Sequence, residues 1–142
     1  MKKIMVLNGP NLNMLGIREK SLYGNETYDH LVEMIKSYAA ENGIEVDCRQ
    51  SNHEGDLIDW IQEAYFHDYD GVVINPGGYT HTSVALGDCV KAVEPLEVIE
   101  VHVSDISTRE DFRHHSYLAP YCKAQIKGKG LNGYIEALKM LE

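Results

Sequence analysis

The chain has 142 residues, of which 44% are hydrophobic and 25% are charged, and its formal net charge is −9 at pH 7. These proportions are ordinary for a globular protein and exclude a disordered or fibrous chain. The length predicts a single domain over residues 1–142, large enough to need no disulfide or metal for stability. The acidic balance argues against a general binder of nucleic acid or of anionic membranes.

The cysteine pattern and the apolar segments indicate the compartment in which the protein works. Cys48, Cys89 and Cys122 are far apart and form no Cys-x-x-Cys pair, so neither a disulfide framework nor a zinc ribbon is predicted. The first apolar run, residues 4–7, is too short for a signal peptide core or a membrane span, and no later segment is longer. We therefore expect a cytoplasmic protein with no membrane partner.

Short apolar segments alternate with helical patterns along the chain. The apolar segments predict strands at 4–7, 44–49, 71–75, 96–103 and 122–127. The helical patterns predict helices at 28–42, 56–65, 80–93 and 132–141, with a short helical turn at 107–114. Thr27 is placed to cap the first helix and Gly43 to end it, while Ser107 and Glu110 have the spacing of a capping box.

This alternation predicts a flavodoxin-like α/β fold. Strands joined by helices run parallel, so we expect a doubly wound five-stranded parallel sheet with helices on both faces. A barrel would need eight such units. Ligands of open sheets bind beyond the carboxyl ends of the strands. Polar candidates follow the first, third and fourth strands: Asn11, Asn75, His81, Glu100, His102 and Ser104.

Three of the four arginines also lie in segments that open onto this rim. Arg18 follows the first strand, and Arg109 and Arg113 follow the fourth. Arg109 and Arg113 could instead pair with Glu110 and Asp111 on a solvated turn. With Arg18 added, an anion pocket is the better interpretation for a chain of this negative charge. The planar guanidinium group favours a carboxylate as the ligand.

The connection after the first strand, residues 15–25, is longer than most such loops and suggests a functional lid. It contains Tyr23, five residues after Arg18. A loop tyrosine is often only a packing contact. However, a nearby guanidinium favours the phenolate and lowers the pKa of the phenol from about 10. The pair is therefore a candidate general base.

Two histidines at the rim are candidate site residues. His81 lies at the predicted start of the third helix, where it could bind an anion or merely cap the helix. Asp88 is seven residues further on, about 10 Å along the same helix, which is too far for both to hold one small ligand. His102 could be an ordinary buried histidine, but Glu100 faces the same side of the strand and could orient its ring.

Other kinds of site fit these residues less well. A phosphate-binding loop needs amides that Pro10 removes, and a receiver domain needs acidic residues where the first and third strands end in asparagine. A Schiff-base enzyme needs a lysine at a strand end, and none is there. A metal-dependent hydrolase remains an alternative, although its ligands would be irregularly spaced: His81, Asp88 and His102. Cofactor-free acid–base chemistry on a small carboxylate is favoured.

The chain closely resembles type II 3-dehydroquinate dehydratases over essentially its whole length. The motifs that carry the resemblance are Gly9-Pro10-Asn11-Leu12-Asn13, Leu15-Gly16-Ile17-Arg18-Glu19, Tyr23-Gly24, Ser51-Asn52-His53-Glu54-Gly55, Asn75-Pro76-Gly77, Tyr79-Thr80-His81-Thr82-Ser83, Glu100-Val101-His102 and Arg109-Glu110-Asp111-Phe112-Arg113. This many ordered matches are highly specific.

The resemblance implies a hydro-lyase of the shikimate and quinate pathways. It would eliminate water from 3-dehydroquinate, with anti stereochemistry and without a cofactor, to give 3-dehydroshikimate. By this resemblance Tyr23 is the base and Arg18 lowers its pKa. Asn11 would help to hold an enolate intermediate through an ordered water, and His102 would be the general acid, oriented by Glu100.

The resemblance also implies a substrate-binding set and an assembly. The substrate-binding residues would be Asn75, His81, Asp88, Val103, Ser104, Arg109 and Arg113. Arg109 corresponds to a position that affects the lid. Asp88 would reach the site of a neighbouring subunit, which implies trimers that stack into a dodecamer.

Four residues depart from the pattern common in the family. Lys20 stands in place of proline, Gly78 in place of alanine, Gly87 in place of arginine, and Asp105 in place of asparagine. Lys20 would loosen the lid, Gly87 would alter the subunit contact beside Asp88, and Asp105 would add negative charge near a carboxylate pocket. None of the four removes a proposed catalytic group, so we expect an active enzyme.

Overall fold

The five predicted strands form one parallel sheet. The computed structural model describes residues 1–17 and 26–142. In these ranges the strands are β1 (Lys2–Asn8), β2 (Ile44–Gln50), β3 (Gly71–Asn75), β4 (Val98–His102) and β5 (Ala124–Lys127). The α-helices are α1 (Tyr28–Glu41), α2 (Glu54–Phe66), α3 (Val84–Ala92) and α4 (Asn132–Leu141). All pairs are parallel and the strand order is β2-β1-β3-β4-β5, so the predicted flavodoxin-like fold is confirmed.

Each face of the sheet carries its own hydrophobic cluster. In β1, Ile4 and Val6 face the cluster formed with α1 and α4, whereas Met5 and Leu7 face the cluster formed with α2 and α3. Side chains alternate between the faces of a strand, so a central strand covered on both sides must be apolar throughout. This is why the short apolar runs of the sequence locate the sheet so well.

The start and end of α1 follow from local chemistry. The Thr27 side chain accepts a hydrogen bond from the backbone N–H of His30 at 3.1 Å, which confirms the predicted cap. Gly43, two residues beyond the helix, has a φ of +68°, a conformation in which a residue with a Cβ is disfavoured. The chain therefore leaves the helix here and turns into β2.

The predicted start of α3 at residue 80 is wrong. Residues Gly77–His81 form a 3₁₀ turn, and α3 begins only at Val84. The Ser83 hydroxyl accepts the backbone N–H of Leu86 at 2.9 Å and so caps α3. As a consequence, His81 and Asp88 do not lie on one helix.

The connection from β4 to β5 also differs from the prediction. It contains three 3₁₀ turns, at Ile106–Thr108, Asp111–Arg113 and Ala119–Tyr121, instead of one helical turn. The predicted capping box is wrong, because Ser107 lies inside the first of these turns. Asp105 caps that turn by accepting the backbone N–H of Ser107 at 3.0 Å. The segment therefore packs as an irregular strap, which spans residues 103–123.

The strand order places the candidate site. The chain leaves β1 towards β2 on one side and continues from β3 on the other, so the direction of winding reverses between β1 and β3. A crevice opens at the carboxyl ends of strands at such a point. No helix in the described ranges is long and apolar enough to cross a membrane.

Candidate active site

A polar cleft of about 130 Å³ lies at the carboxyl ends of β1, β3 and β4. It is lined by Pro10, Asn11, Leu12, Asn75, Gly77, Gly78, His81, His102, Val103, Ser104, Ile106, Arg109 and Arg113. Eight of the residues predicted for the site are among them: Asn11, Asn75, His81, His102, Val103, Ser104, Arg109 and Arg113. The cleft is where the strand order predicts a ligand.

Two loops form one wall of the cleft by close contact of their backbones. The backbone N–H of Gly9 donates to the carbonyl of Asn75 at 2.8 Å, and a Cβ on Gly9 would lie 2.7 Å from the carbonyl oxygen of Pro76. Gly77 has a φ of +59°, and a Cβ there would lie 3.1 Å from the carbonyl oxygen of Pro10. Side chains at these two glycines would push the loops apart, so the Gly-Pro and Pro-Gly pairs shape the cleft.

Asn11 reaches the cleft from a left-handed backbone conformation, with a φ of 71°. Its backbone N–H donates to Oδ1 of Asn52 at 2.9 Å, and the Gln50 amide also donates to this oxygen, at 3.2 Å. Asparagine is one of the few residues that adopt this conformation readily. Residues after β2 therefore hold the loop that carries Asn11.

The orientation of Asn75 is set by a buried chain of hydrogen bonds. Its Oδ1 accepts the backbone N–H of Gly77 at 3.1 Å, and its Nδ2 donates to the hydroxyl of Tyr134 at 2.9 Å. Tyr134 in turn donates to Oδ1 of Asn8 at 2.5 Å. One hydrogen of the Asn75 amide remains for a ligand, since the group carries two.

Glu100 and His102 form a buried pair at the end of β4. They lie on the same face of the strand, as predicted, with exposed fractions of 0% and 5%. Nε2 of His102 lies 2.5 Å from Oε2 of Glu100. Nε2–H of His102 therefore donates a hydrogen bond to the carboxylate, and the nitrogen left for a ligand is Nδ1.

Four side chains surround the Glu100 carboxyl group. Besides His102, donors are Thr80 at 2.8 Å, Ser116 at 2.8 and 3.0 Å, and Gln125 at 3.2 Å. Burial by itself would raise the pKa of Glu100. The hydrogen bond and charge of His102, with the hydroxyls of Thr80 and Ser116, outweigh burial and hold this pKa below its ordinary value. Glu100 is therefore a carboxylate at neutral pH.

His81 is held beside His102 in one tautomer. The two rings lie 6.3 Å apart between centroids. Nδ1 of His81 lies 2.8 Å from the carbonyl oxygen of His115, which can only accept, so Nδ1 carries the proton. Burial, with neighbouring His102 and Arg113, lowers the pKa of His81 despite this hydrogen bond. His81 is thus neutral at pH 7 and keeps an Nε2 lone pair for a ligand.

Two guanidinium groups also line the cleft. Arg109 and Arg113 come from the strap after β4, in the position that the sequence predicts. Arg113 also forms an ion pair with Glu110, three residues earlier, so the predicted alternative of local pairing is found for this arginine, which nevertheless lines the cleft. A second anion can be attracted here because the guanidinium group has five donors.

The remaining predicted residues lie elsewhere. Asp88 is exposed on α3 and does not line the cleft. Glu100 lies behind His102 and does not line it either. The predicted base, Tyr23, and its partner Arg18 lie outside the described residues, as does Lys20.

Three of the departures from the family pattern have a structural setting. At Gly78 a Cβ would meet nothing within 4 Å, so alanine would fit equally well. At Gly87 a Cβ would lie 2.4 Å from the carbonyl oxygen of Tyr117, so α3 touches the strap directly. The Asp105 carboxylate accepts both the hydroxyl and the backbone N–H of Ser107, which lowers its pKa.

Several residues that support the site are not among the predicted site residues, although Asn52 and Thr80 lie within the family motifs. The supporting residues are Asn52, Thr80, Ser116, Gln125 and Tyr134. Gln125 could have been found from the strand order, because it pairs with Glu100 in the register of β4 and β5. In the described part of the chain, no three His, Cys, Asp or Glu side chains are grouped to hold a metal ion.

Comparisons with known proteins identify the family of this chain. The sequence model of the family described as "Dehydroquinase class II" matches residues 2–142. A 3-dehydroquinate dehydratase of Lachnospira eligens is 53% identical over 96% of this chain and 93% of its own length. A 3-dehydroquinate dehydratase of Caldicellulosiruptor bescii is 53% identical over 100% of this chain and 97% of its own length.

The solved structures include a type II dehydroquinase from Butyrivibrio crossotus that is similar to this chain. Its TM-score is 0.97 at 58% identity, and the match covers 99% of this chain and 97% of the other. The likeness therefore extends over almost the whole of both chains. The chain belongs to the class II dehydroquinase family.

Proposed function

We propose that this protein is a hydro-lyase that converts 3-dehydroquinate to 3-dehydroshikimate by anti elimination of water through an enolate. The observation that carries the proposal is the buried Glu100–His102 pair beside a cleft with two arginines. A buried carboxylate bound to an imidazole fixes the orientation of the ring as a proton donor, and arginines attract a substrate carboxylate. The reaction serves aromatic amino acid biosynthesis or quinate catabolism.

The cleft offers complementary groups for a hydroxylated carboxylate. Arg109 and Arg113 supply positive charge in a chain whose net charge is −9. Nε2 of His81 accepts a hydrogen bond from a substrate hydroxyl, and the Asn75 amide donates to an oxygen. Val103 and Ser104 complete the binding set. A ligand that lacks hydroxyls would leave the His81 lone pair unsatisfied.

His102 protonates the leaving group in the second half of the reaction. Nδ1–H of the imidazolium gives its proton to the departing hydroxyl, the carbon–oxygen bond breaks, and water leaves. The electron pair of the enolate forms the new carbon–carbon double bond, so the product is a neutral ketone conjugated to it. His102 becomes neutral and keeps its Nε2–H, which stays hydrogen-bonded to Glu100.

The first half of the reaction is assigned to residues outside the described ranges, by family resemblance. Tyr23 as phenolate removes the proton from the carbon beside the ketone, and Arg18 supports the negative charge. Asn11, which lines the cleft, helps to hold the enolate oxygen through a water. The base and the acid exchange their proton through solvent before the next cycle.

The test is to add 3-dehydroquinate and follow the ultraviolet absorbance of the conjugated enone. We expect turnover that survives EDTA, and also survives borohydride added with substrate. Loss with EDTA and recovery with zinc would support the metal-dependent alternative, and loss with borohydride would indicate an imine. Carboxylate binding without turnover would support a binding module instead.

Asp88 supports a proposal about assembly. It lies on the exposed side of α3 and does not line the cleft of its own subunit. We expect it to reach a neighbour's site in a trimer, with trimers stacked into a dodecamer. Sedimentation should give an oligomer at concentrations where the enzyme is active. A fully active monomer would contradict this. The cytoplasmic location stays a prediction.

A further inference from the structure

Ser116 in the strap is a buried serine whose hydroxyl is directed at the Glu100 carboxylate. Its exposed fraction is 8%. Its oxygen accepts the backbone N–H groups of Leu118 and Ala119, at 3.1 and 3.0 Å. These donors occupy the acceptor side of the hydroxyl, so its single proton is directed at Glu100.

The position of this hydroxyl on the carboxylate differs from that of the other donors. His102, Thr80 and Gln125 all contact Oε2 of Glu100. Ser116 contacts Oε1 at 2.8 Å as well as Oε2 at 3.0 Å. It therefore opposes rotation of the carboxyl group about its own bond, because three donors on one oxygen fix only that oxygen.

The segment around Ser116 is tied to the turn that carries His81. The His115 carbonyl accepts from His81 at 2.8 Å, and the Tyr117 N–H donates to the carbonyl of Thr80 at 2.9 Å. Gly87 lets the Tyr117 backbone lie directly against α3. With bonds on both sides of residue 116, the hydroxyl has little freedom to move away from Glu100.

We propose that Ser116 is a positioning residue for the second half of the reaction, acting on His102 through Glu100. The Glu100 carboxylate accepts Nε2–H of His102, which fixes the ring and leaves Nδ1 to donate to a leaving hydroxyl. Hydrogen bonds to the carboxylate keep it in place and ionised. Without Ser116 the carboxyl group is less well supported and free to turn, so the His102 ring is less often correctly oriented. This inference rests on the proposed function.

The test compares two rates in Ser116→Ala. One is dehydration, followed by enone absorbance, and the other is exchange of the substrate C2 proton in heavy water, followed by NMR. We expect the kcat for dehydration to fall about tenfold, which is part of the 10²–10⁴-fold contribution of a general acid, with KM changed less than about twofold. Exchange depends on the first half and should persist. The ratio of exchange to dehydration should therefore rise by about the same factor.

Ser51 offers a matched control. Its exposed fraction is 7%, its hydroxyl donates to Asp56 at 2.6 Å, and it accepts the His53 N–H at 2.9 Å. Ser51→Ala removes the same kind of hydroxyl–carboxylate hydrogen bond, but from Asp56 rather than Glu100. Any loss of activity in this variant should therefore lower the dehydration and exchange rates together. Ser116→Thr, which restores a hydroxyl, should bring the ratio back to that of the native enzyme.

The outcomes separate this inference from the proposed function. A native enzyme without turnover would overturn the function itself. An active native enzyme with an unchanged ratio in Ser116→Ala would overturn only the role of Ser116. If Ser116→Ala fails to fold, Thr80→Val removes another donor to Glu100 and should raise the same ratio. Equal loss of both rates in the folded variant would indicate a purely structural role and would contradict the proposal.

Discussion

Replacing His102 with alanine should lower the rate of 3-dehydroquinate dehydration by about 10²–10⁴-fold, the usual contribution of a general acid. His102 is the side chain in the cleft whose Nε2 lies 2.5 Å from the buried Glu100 carboxylate, which leaves Nδ1 to donate to the leaving hydroxyl. Without it the hydroxyl must leave without a proton donor. The enolate can still form and take a proton back, so exchange of the C2 proton in heavy water should continue. Enone absorbance and NMR measure the two rates on one sample.

The control must separate chemistry from folding. Removing one partner of a buried ion pair costs about 3–5 kcal/mol, so His102→Ala needs a thermal unfolding measurement beside the assay. Glu100→Gln keeps the shape of the partner but removes its charge, and should give a smaller loss in the same step. If His102→Ala lost exchange and dehydration equally while folded, His102 would not be the acid of the second half.

The fold is predictable from this sequence because its signals are local. Apolar runs identify each strand, and β3 and α4 match their predicted ranges at both ends. The start of α3 is missed because Thr80 looks helical, whereas its hydroxyl and its carbonyl are used by Glu100 and Tyr117. Such tertiary contacts override the helical pattern.

The site residues also fall into those that local sequence patterns predict and those that only tertiary contacts place. Residues at strand ends, such as Asn75 and His102, are predictable because a parallel sheet brings its carboxyl ends to one edge. Tyr134 is not predictable in this way, since its hydroxyl binds the side chain of Asn8, which is 126 positions away in the sequence. Ser116 lies 16 positions from Glu100 and within an irregular strap, so no periodic spacing connects them.

The largest effect is expected from Tyr23→Phe, which should abolish both dehydration and exchange of the C2 proton. A phenol with an ordinary pKa of about 10 is only about one part in a thousand phenolate at pH 7, so an active base needs the nearby charge of Arg18. Without the phenol no base removes the proton, and neither half of the reaction begins. Arg18→Ala should resemble it, with residual activity shifted to higher pH because the phenolate then forms only there. Enone absorbance and NMR of C2-proton exchange, measured across pH, check the loss of activity in Tyr23→Phe, the loss in Arg18→Ala and the shift of its residual activity to higher pH.

Near-normal turnover in Tyr23→Phe would mean that the base lies elsewhere, and His81 is then the next candidate. Its ring is neutral at pH 7, because burial lowers its pKa, and its proton is held on Nδ1 by the His115 carbonyl. The Nε2 lone pair is thus available in the cleft without help from Arg18. His81→Ala in the Tyr23→Phe background would then remove the remaining exchange. If Tyr23→Phe is inactive in both assays, His81→Ala alone should instead raise KM and retain exchange at saturating substrate, as expected for a group that only binds a hydroxyl.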